Sequence, residues 1–111
     1  MRAANAAAGA AVLLLAGCGG SSTTATTTNH VRLTAQERHG RALFVRTCGT
    51  CHTLAEAGTH GTTGPDLDVH PWRAVYISET IADGPGLMPA GLLGSADANA
   101  VAAYLEAVTK R

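Results

Sequence analysis

Five consecutive residues carry the chemistry of this chain: Cys48-Gly49-Thr50-Cys51-His52. Two thiols separated by two residues, with an imidazole directly after them, form the C-x-x-C-H pattern of covalent c-type haem attachment. Each thiol adds across one vinyl group of the same haem and becomes a thioether. Cys48 and Cys51 lie about one helical turn apart, so both sulfurs reach one edge of a porphyrin while His52 points at its iron. A C-x-x-C pair has two other common uses. A redox dithiol normally accompanies a βαβ pattern, and no strand–helix–strand alternation is found. A zinc site needs four ligands at finger spacings, and the remaining cysteine, Cys18, stands alone.

The start of the chain supplies context. Arg2 precedes the apolar run Ala10-Ala11-Val12-Leu13-Leu14-Leu15-Ala16, which leads into Gly17-Cys18. A basic residue, an apolar stretch and small residues before a cleavage point are the anatomy of an export signal. The stretch is shorter than the roughly 20 residues a membrane-spanning helix needs. Leu15-Ala16-Gly17-Cys18 also resembles the bacterial lipobox, in which the cysteine is acylated and becomes the first mature residue. An ordinary signal peptide with a chance cysteine is the alternative. The Gly/Ser/Thr-rich tract that follows has nothing to bury and reads as flexible linker, with an r.m.s. span of about 20 Å. The expected organisation is therefore a signal at 1–17, a lipidated Cys18 with its tether at 18–31, and one folded domain at 32–111.

The domain reads as helices and loops, with no convincing strand. Thr34-Ala35-Gln36-Glu37 matches a capping box and opens a helix that delivers the chain into Cys48. Gln36, Gly40, Leu43, Phe44 and Thr47 share a face at helical spacing. Gly40 lowers helix propensity, so a close backbone contact is its expected use. Residues 54–67 read as loop. Pro71 is placed at the first position of a second helix, which continues through Trp72, Val75, Tyr76 and Ile81 to Asp83-Gly84. Gly84-Pro85-Gly86 breaks it. Ser95 is the expected N-cap of a last helix, with Asp97 in its first turn and Ala98, Val101, Ala102 and Leu105 on one face.

These elements, in this order, make residues 34–109 resemble a small bacterial monohaem class I cytochrome c. The resemblance rests on Gly40 and Phe44 in the first helix, on Cys48-Gly49-Thr50-Cys51-His52, and on Gly64-Pro65-Asp66-Leu67. It rests also on Gly84-Pro85-Gly86-Leu87-Met88-Pro89 and on Tyr104-Leu105 in the last helix. It implies an all-α fold of three to four short helices wrapped around one covalently bound haem c. The N- and C-terminal helices would cross at Gly40, with Phe44 and Tyr104 nearby. It implies that the Pro65 carbonyl accepts the second ring N–H of His52. It also implies that Met88 is the sixth ligand of the iron, opposite His52.

The residues of this chain support Met88 independently. Once the signal is removed it is the sole methionine, and its thioether is a soft, neutral ligand that raises the reduction potential. Pro89 biases it toward extended backbone. A core-filling methionine is the alternative use, and His30, His39, His60 and His70 are the competing ligands. Trp72 reads either as a hydrogen-bond donor to a haem propionate or as a packing residue.

The chain has 8 Lys+Arg and 8 Asp+Glu. Removal of Arg2 with the signal leaves a net charge of −1. Arg32, Arg38, Arg41 and Arg46 cluster around the first helix, whereas residues 52–97 carry six acids against Arg73. The molecule is therefore dipolar, and no basic patch for nucleic acid is present.

The expected function is that of a monomeric, non-enzymatic electron carrier. It is expected outside the cytoplasm, tied to a bacterial membrane through Cys18 and serving redox partner proteins. Its haem edge is expected to be rimmed by Ala55, Ala57, Ala90 and Gly91. A haem subunit of a respiratory complex shares this chemistry without the mobility. A haem enzyme or gas sensor would need an open iron position.

With four aromatics and about 80 residues, the domain makes a thin core, and a buried haem would supply the missing apolar mass. A Cys48→Ala/Cys51→Ala variant without haem is expected to show no cooperative thermal melt by circular dichroism.

Overall fold

The computed structural model describes residues 31–110 and, before them, Gly9, Gly17 and Gly19. Cys18, and with it most of the expected signal and tether, lies outside the described residues. Helix α1 spans Ala35–Leu43 and continues through a π-helical turn, Phe44–Cys48. A two-residue ladder follows, β1 (Thr53–Leu54) against β2 (Thr59–His60), antiparallel, with Thr53 opposite His60. Helix α2 spans Ala74–Asp83 and α3 spans Ser95–Thr109. Among the described residues no helix is long and apolar enough to cross a membrane.

The capping box forms as the sequence dictates. The Glu37 amide donates to Thr34 Oγ1 at 3.2 Å, and the Thr34 amide donates to the Glu37 carboxylate at 2.7 Å. Two of the orphan donors at the helix start are thereby satisfied. From this end α1 runs against α3, and α2 packs on α3 as well. The last helix is thus the common support, and its Ala98, Val101, Ala102 and Leu105 are all buried, as their spacing requires.

At Gly40 the backbones of α1 and α3 lie against each other. A Cβ there would collide with the Ala100 carbonyl and lie 2.9 Å from the Val101 nitrogen. The lost helix propensity is offset by the approach it permits. Phe44, one turn on, meets Tyr104 edge-on with ring centroids 6.0 Å apart, and both rings are fully buried.

Five details differ from the sequence reading. The segment after His52 is not wholly loop, because Leu54 and Thr59 are buried and pair across the short ladder. The end of α1 widens into a π turn, closed by the Gly49 amide donating to the Phe44 carbonyl at 2.8 Å. Helix α2 begins at Ala74, three residues after Pro71, where the amides on either side of its N-cap Arg73 are satisfied from outside. Trp72 N–H donates to Thr109 Oγ1 at 3.0 Å, and Ala74 N–H donates to the Glu106 carboxylate. The side chains of α3 therefore cap α2, and Lys110 and this Ala74 amide hold the Glu106 carboxyl below its ordinary value. Finally, α2 turns Ile77 and Ile81 into the core and leaves Val75 and Tyr76 more than half exposed. Ser95 sits one position inside α3, whose N-cap is Gly94.

Gly40→Val puts branched carbons into backbone that cannot move aside. The expected loss is about 3 kcal/mol, or a drop in melting temperature of roughly 12–24 °C for a domain of this size, measured by thermal denaturation.

Candidate functional site

The π turn fixes where Cys48 points. It adds a residue to the last turn of α1, a distortion often found at functional sites. Directly after it, the amides of Cys51 and His52 both donate to the Cys48 carbonyl, at 3.1 and 3.0 Å. The five-residue motif is thus one compact turn. Two glycines back onto it. A Cβ on Gly61 would lie 2.5 Å from the Cys51 carbonyl carbon and 2.6 Å from the His52 nitrogen. A Cβ on Gly64 would press into the His52 ring, 2.8 Å from Nδ1 and 2.9 Å from Nε2. Their spacing ahead of Pro65 is a signal of close backbone approach that the sequence reading left unused.

His52 Nδ1 lies 2.8 Å from the Pro65 carbonyl oxygen. A carbonyl only accepts, so Nδ1 carries the proton and Nε2 is left with its lone pair. The ring is therefore held in one tautomer and one orientation, with its basic nitrogen free to bind a metal.

That ring is part of the wall of a cavity of about 460 Å³, within the range of cofactor and ligand sites. Cys48, Cys51, His52 and Met88 all line it. The remaining wall is apolar, built chiefly from Phe44, Leu67, Ile77, Ile81, Val101 and Leu105. Pro85, Leu87 and Leu92 contribute from the loop after α2, and Leu87 is 87% exposed. Met88 is delivered by a turn in which its amide donates to the Pro85 carbonyl at 3.1 Å and Gly86 adopts φ 61°.

The two cysteines are not joined in a disulfide. Burial first, and then Cys51 beside it, pushes the Cys48 thiol up to about 11. A redox dithiol has its reactive thiol shifted the other way. Sulfur donors, an oriented imidazole and a thioether around an apolar cavity suit a haem, whose face is apolar and whose iron takes such axial ligands.

Of the competing histidines among the described residues, His39, His60 and His70, none lines the cavity. His39 is paired with Asp97 at 2.9 Å, and His60 and His70 are exposed. His30 lies outside the described residues. Trp72 lines the cavity, and its indole N–H donates to the Leu67 carbonyl at 2.9 Å. That donor is already engaged within the chain. The expected rim is displaced. None of Ala55, Ala57, Ala90 and Gly91 lines the cavity. The short ladder turns residues 55–58 toward α1, where Arg41 holds Glu56, and Ala57 is buried there.

The sequence model of the family described as "Cytochrome C oxidase, cbb3-type, subunit III" matches residues 35–105. The chain belongs to this family. It is a c-type cytochrome, with a covalent haem c, haem-based electron transfer and redox protein partners as the properties that follow. It is also similar to a solved structure, the c-type cytochrome SorU from Sinorhizobium meliloti. The two are 35% identical with a TM-score of 0.63, over 67% of this chain and 91% of that one. No curated protein matches the chain. The likeness bears out the small, mostly helical cytochrome c fold with its first and last helices packed together.

A polar cluster that sequence reasoning missed braces this cytochrome's haem-motif loop. Arg41 Nε lies 3.2 and 3.3 Å from the two Glu56 carboxylate oxygens, and its Nη2 donates to the Glu56 carbonyl at 3.1 Å. The Tyr104 hydroxyl donates to the same carboxylate. Glu56 thereby ties the hairpin four residues beyond His52 to both α1 and α3. Its partners lie 15 and 48 positions away, so no local pattern announces them.

Burial, then the Glu56 carboxylate, raises the Tyr104 phenol far above its ordinary value of 10. An unfolded tyrosine ionises near pH 10 while the folded one stays neutral. This contribution to stability is complete below pH 10 and is lost as pH rises above it. Tyr104→Phe is expected to cost about 2 kcal/mol at pH 7. Between pH 10 and 12 the unmutated protein is expected to lose stability faster than the variant, by up to about 1.4 kcal/mol per pH unit. Urea titrations across that range measure both.

Proposed function

We propose that this cytochrome is a tethered, extracytoplasmic electron carrier with a closed iron site. Cys48 and Cys51 hold the haem through thioethers. His52, through Nε2, and Met88, through its sulfur, would hold the iron from the chain. The observation that carries the reading is the lining of the cavity. A histidine with its basic nitrogen free, the two motif thiols and the mature chain's one methionine meet there.

When bound, the haem supplies one-electron exchange between ferrous and ferric iron. The chain's own residues make that exchange easy to repeat. The Pro65 carbonyl keeps the His52 proton on Nδ1, so the ring neither flips nor changes tautomer. Gly64 lets the ring sit flush against backbone. The apolar wall excludes water, and a low local dielectric together with a thioether ligand favours the less charged, reduced state. Leu87, at the mouth, takes the place the alanines were expected to hold as a contact for partners.

Acylation at Cys18 would tie the domain to a membrane through the Gly/Ser/Thr linker. The lipobox pattern Leu15-Ala16-Gly17-Cys18 supports this part of the reading. Bacterial c-type cytochromes work outside the cytoplasm, which is also where a lipidated Cys18 would hold the domain.

A second reading is favoured by the family's own description. The domain would serve as a haem-bearing subunit of an oxidase complex. Co-purification with a complex that survives high salt would establish it; a free, monomeric holoprotein would support the carrier. An enzyme or gas sensor is disfavoured by Met88, which would occupy the iron position such a protein needs.

The test is the optical spectrum of the haem-loaded, signal-cleaved protein beside Met88→Ala. A methionine–iron charge-transfer band in the oxidised protein, lost in the variant, is expected. A high-spin spectrum in the unmutated protein, with rapid carbon monoxide binding, would overturn the closed site.

A further inference from the structure

Beside the cavity lies a second, open groove of about 410 Å³, lined by His70, Pro71, Trp72, Arg73 and Tyr76. Trp72 and Tyr76 line both. Their rings are nearly parallel, 13° apart with centroids at 5.8 Å, and the His70 ring lies 3.8 Å from Trp72 at 43°. Three rings therefore form a ladder that walls the cavity on one side and faces solvent on the other. Tyr76 is 55% exposed, and His70, Pro71 and Arg73 are exposed as well.

The ladder is a fixed platform. Trp72 is held through its indole by Leu67 and through its amide by Thr109. Little freedom remains to be lost on binding, which favours affinity. Aromatic rings beside an arginine are the composition of interface anchors.

Charge selects the occupant. Arg73 is the sole Lys or Arg between His52 and Asp97, a stretch holding six carboxylates. No carboxylate among the described residues lines the groove. A guanidinium pairs with a carboxylate in two-pronged fashion. Glu79 and Asp83, further along α2, would repel an acidic surface that slid away from this point.

We propose that the His70–Trp72–Arg73–Tyr76 face is a docking surface for a redox protein whose contact face is acidic, with Arg73 setting the register. The proposal rests on the electron-carrier reading. A partner seated there is separated from the cavity by the layer of Trp72 and Tyr76 alone. The exposed loop around Leu87 is left open to a different partner.

The experiment uses the full, haem-loaded chain labelled with nitrogen-15 and hexacyanochromate(III), a redox-inert paramagnetic anion. At low ionic strength the amide signals of His70 and of residues 72–76 are expected to broaden first. Arg73→Glu should abolish that broadening. Arg32→Glu, the same charge change at an exposed site outside the groove, should leave it. In parallel, oxidation of the reduced protein by hexacyanoferrate(III), which takes up one electron, should slow about tenfold in Arg73→Glu and far less in Arg32→Glu. Broadening centred on Leu87 and Leu92, or equal slowing by the two charge reversals, would overturn the proposal. The optical spectrum of each variant keeps this result apart from the fate of the electron-carrier reading. An open iron site would remove that reading and leave the broadening map intact.

Discussion

The distance between α1 and α3 is the constraint on which the rest of this structure depends. It is set where Gly40 lies against the Ala100 carbonyl with no side chain between. Everything that carries chemistry is hung from that contact. The π turn that aims Cys48 grows directly out of α1. Helix α2, whose Ile77 and Ile81 line the cavity, is anchored at its start by Thr109 and Glu106 of α3, which accept from the Trp72 and Ala74 amides. A small domain with few large side chains cannot rely on bulk burial for order. It substitutes close backbone contact in one place and side-chain caps in another.

Polar groups do the remaining positioning, and each is used where an apolar residue could not serve. The Pro65 carbonyl chooses which nitrogen of His52 is basic. Glu56 gathers Arg41 and Tyr104 and so ties the hairpin to both long helices. Within the described residues no buried side-chain donor or acceptor lacks a partner. Such satisfaction matters more in a thin core than in a thick one, because each unpaired group would be a larger share of the net stability.

Much of this could be read from the chain before its structure, and the division follows physical range. The capping box at Thr34 and Glu37, the break at Gly84 and the buried face of α3 depend on neighbours within a turn or two, and all are found. The motif residues, with Pro65 and Met88, stand out by restrictive type, and the fold brings Cys48, Cys51, His52, Pro65 and Met88 to one cavity. What escaped depends on distant partners. The start of α2 slips because its caps come from residues more than 30 positions away. Val75 and Tyr76 look like core by composition, yet the helix turns Ile77 and Ile81 inward instead. The alanine rim failed because small size says nothing about direction, and the ladder carries Ala57 away from the cavity. The π turn has no residue signature in this segment at all.

The loop that carries Met88 has its two ends fastened together. The Gly91 amide donates to the Ile81 carbonyl at 3.1 Å, and Gly84, at φ 60°, packs against the Ala90 backbone. Residues 85–89 therefore form a lariat whose neck is the end of α2. Changes in the length of such a noose are absorbed inside it, since its closure does not depend on the path between its ends. The neck is made of few contacts, the kind of closure that local opening breaks before packed helices separate. The stretch that presents Met88 to the cavity is thus separable from the frame: it can be lengthened or shortened without changing how the helices meet.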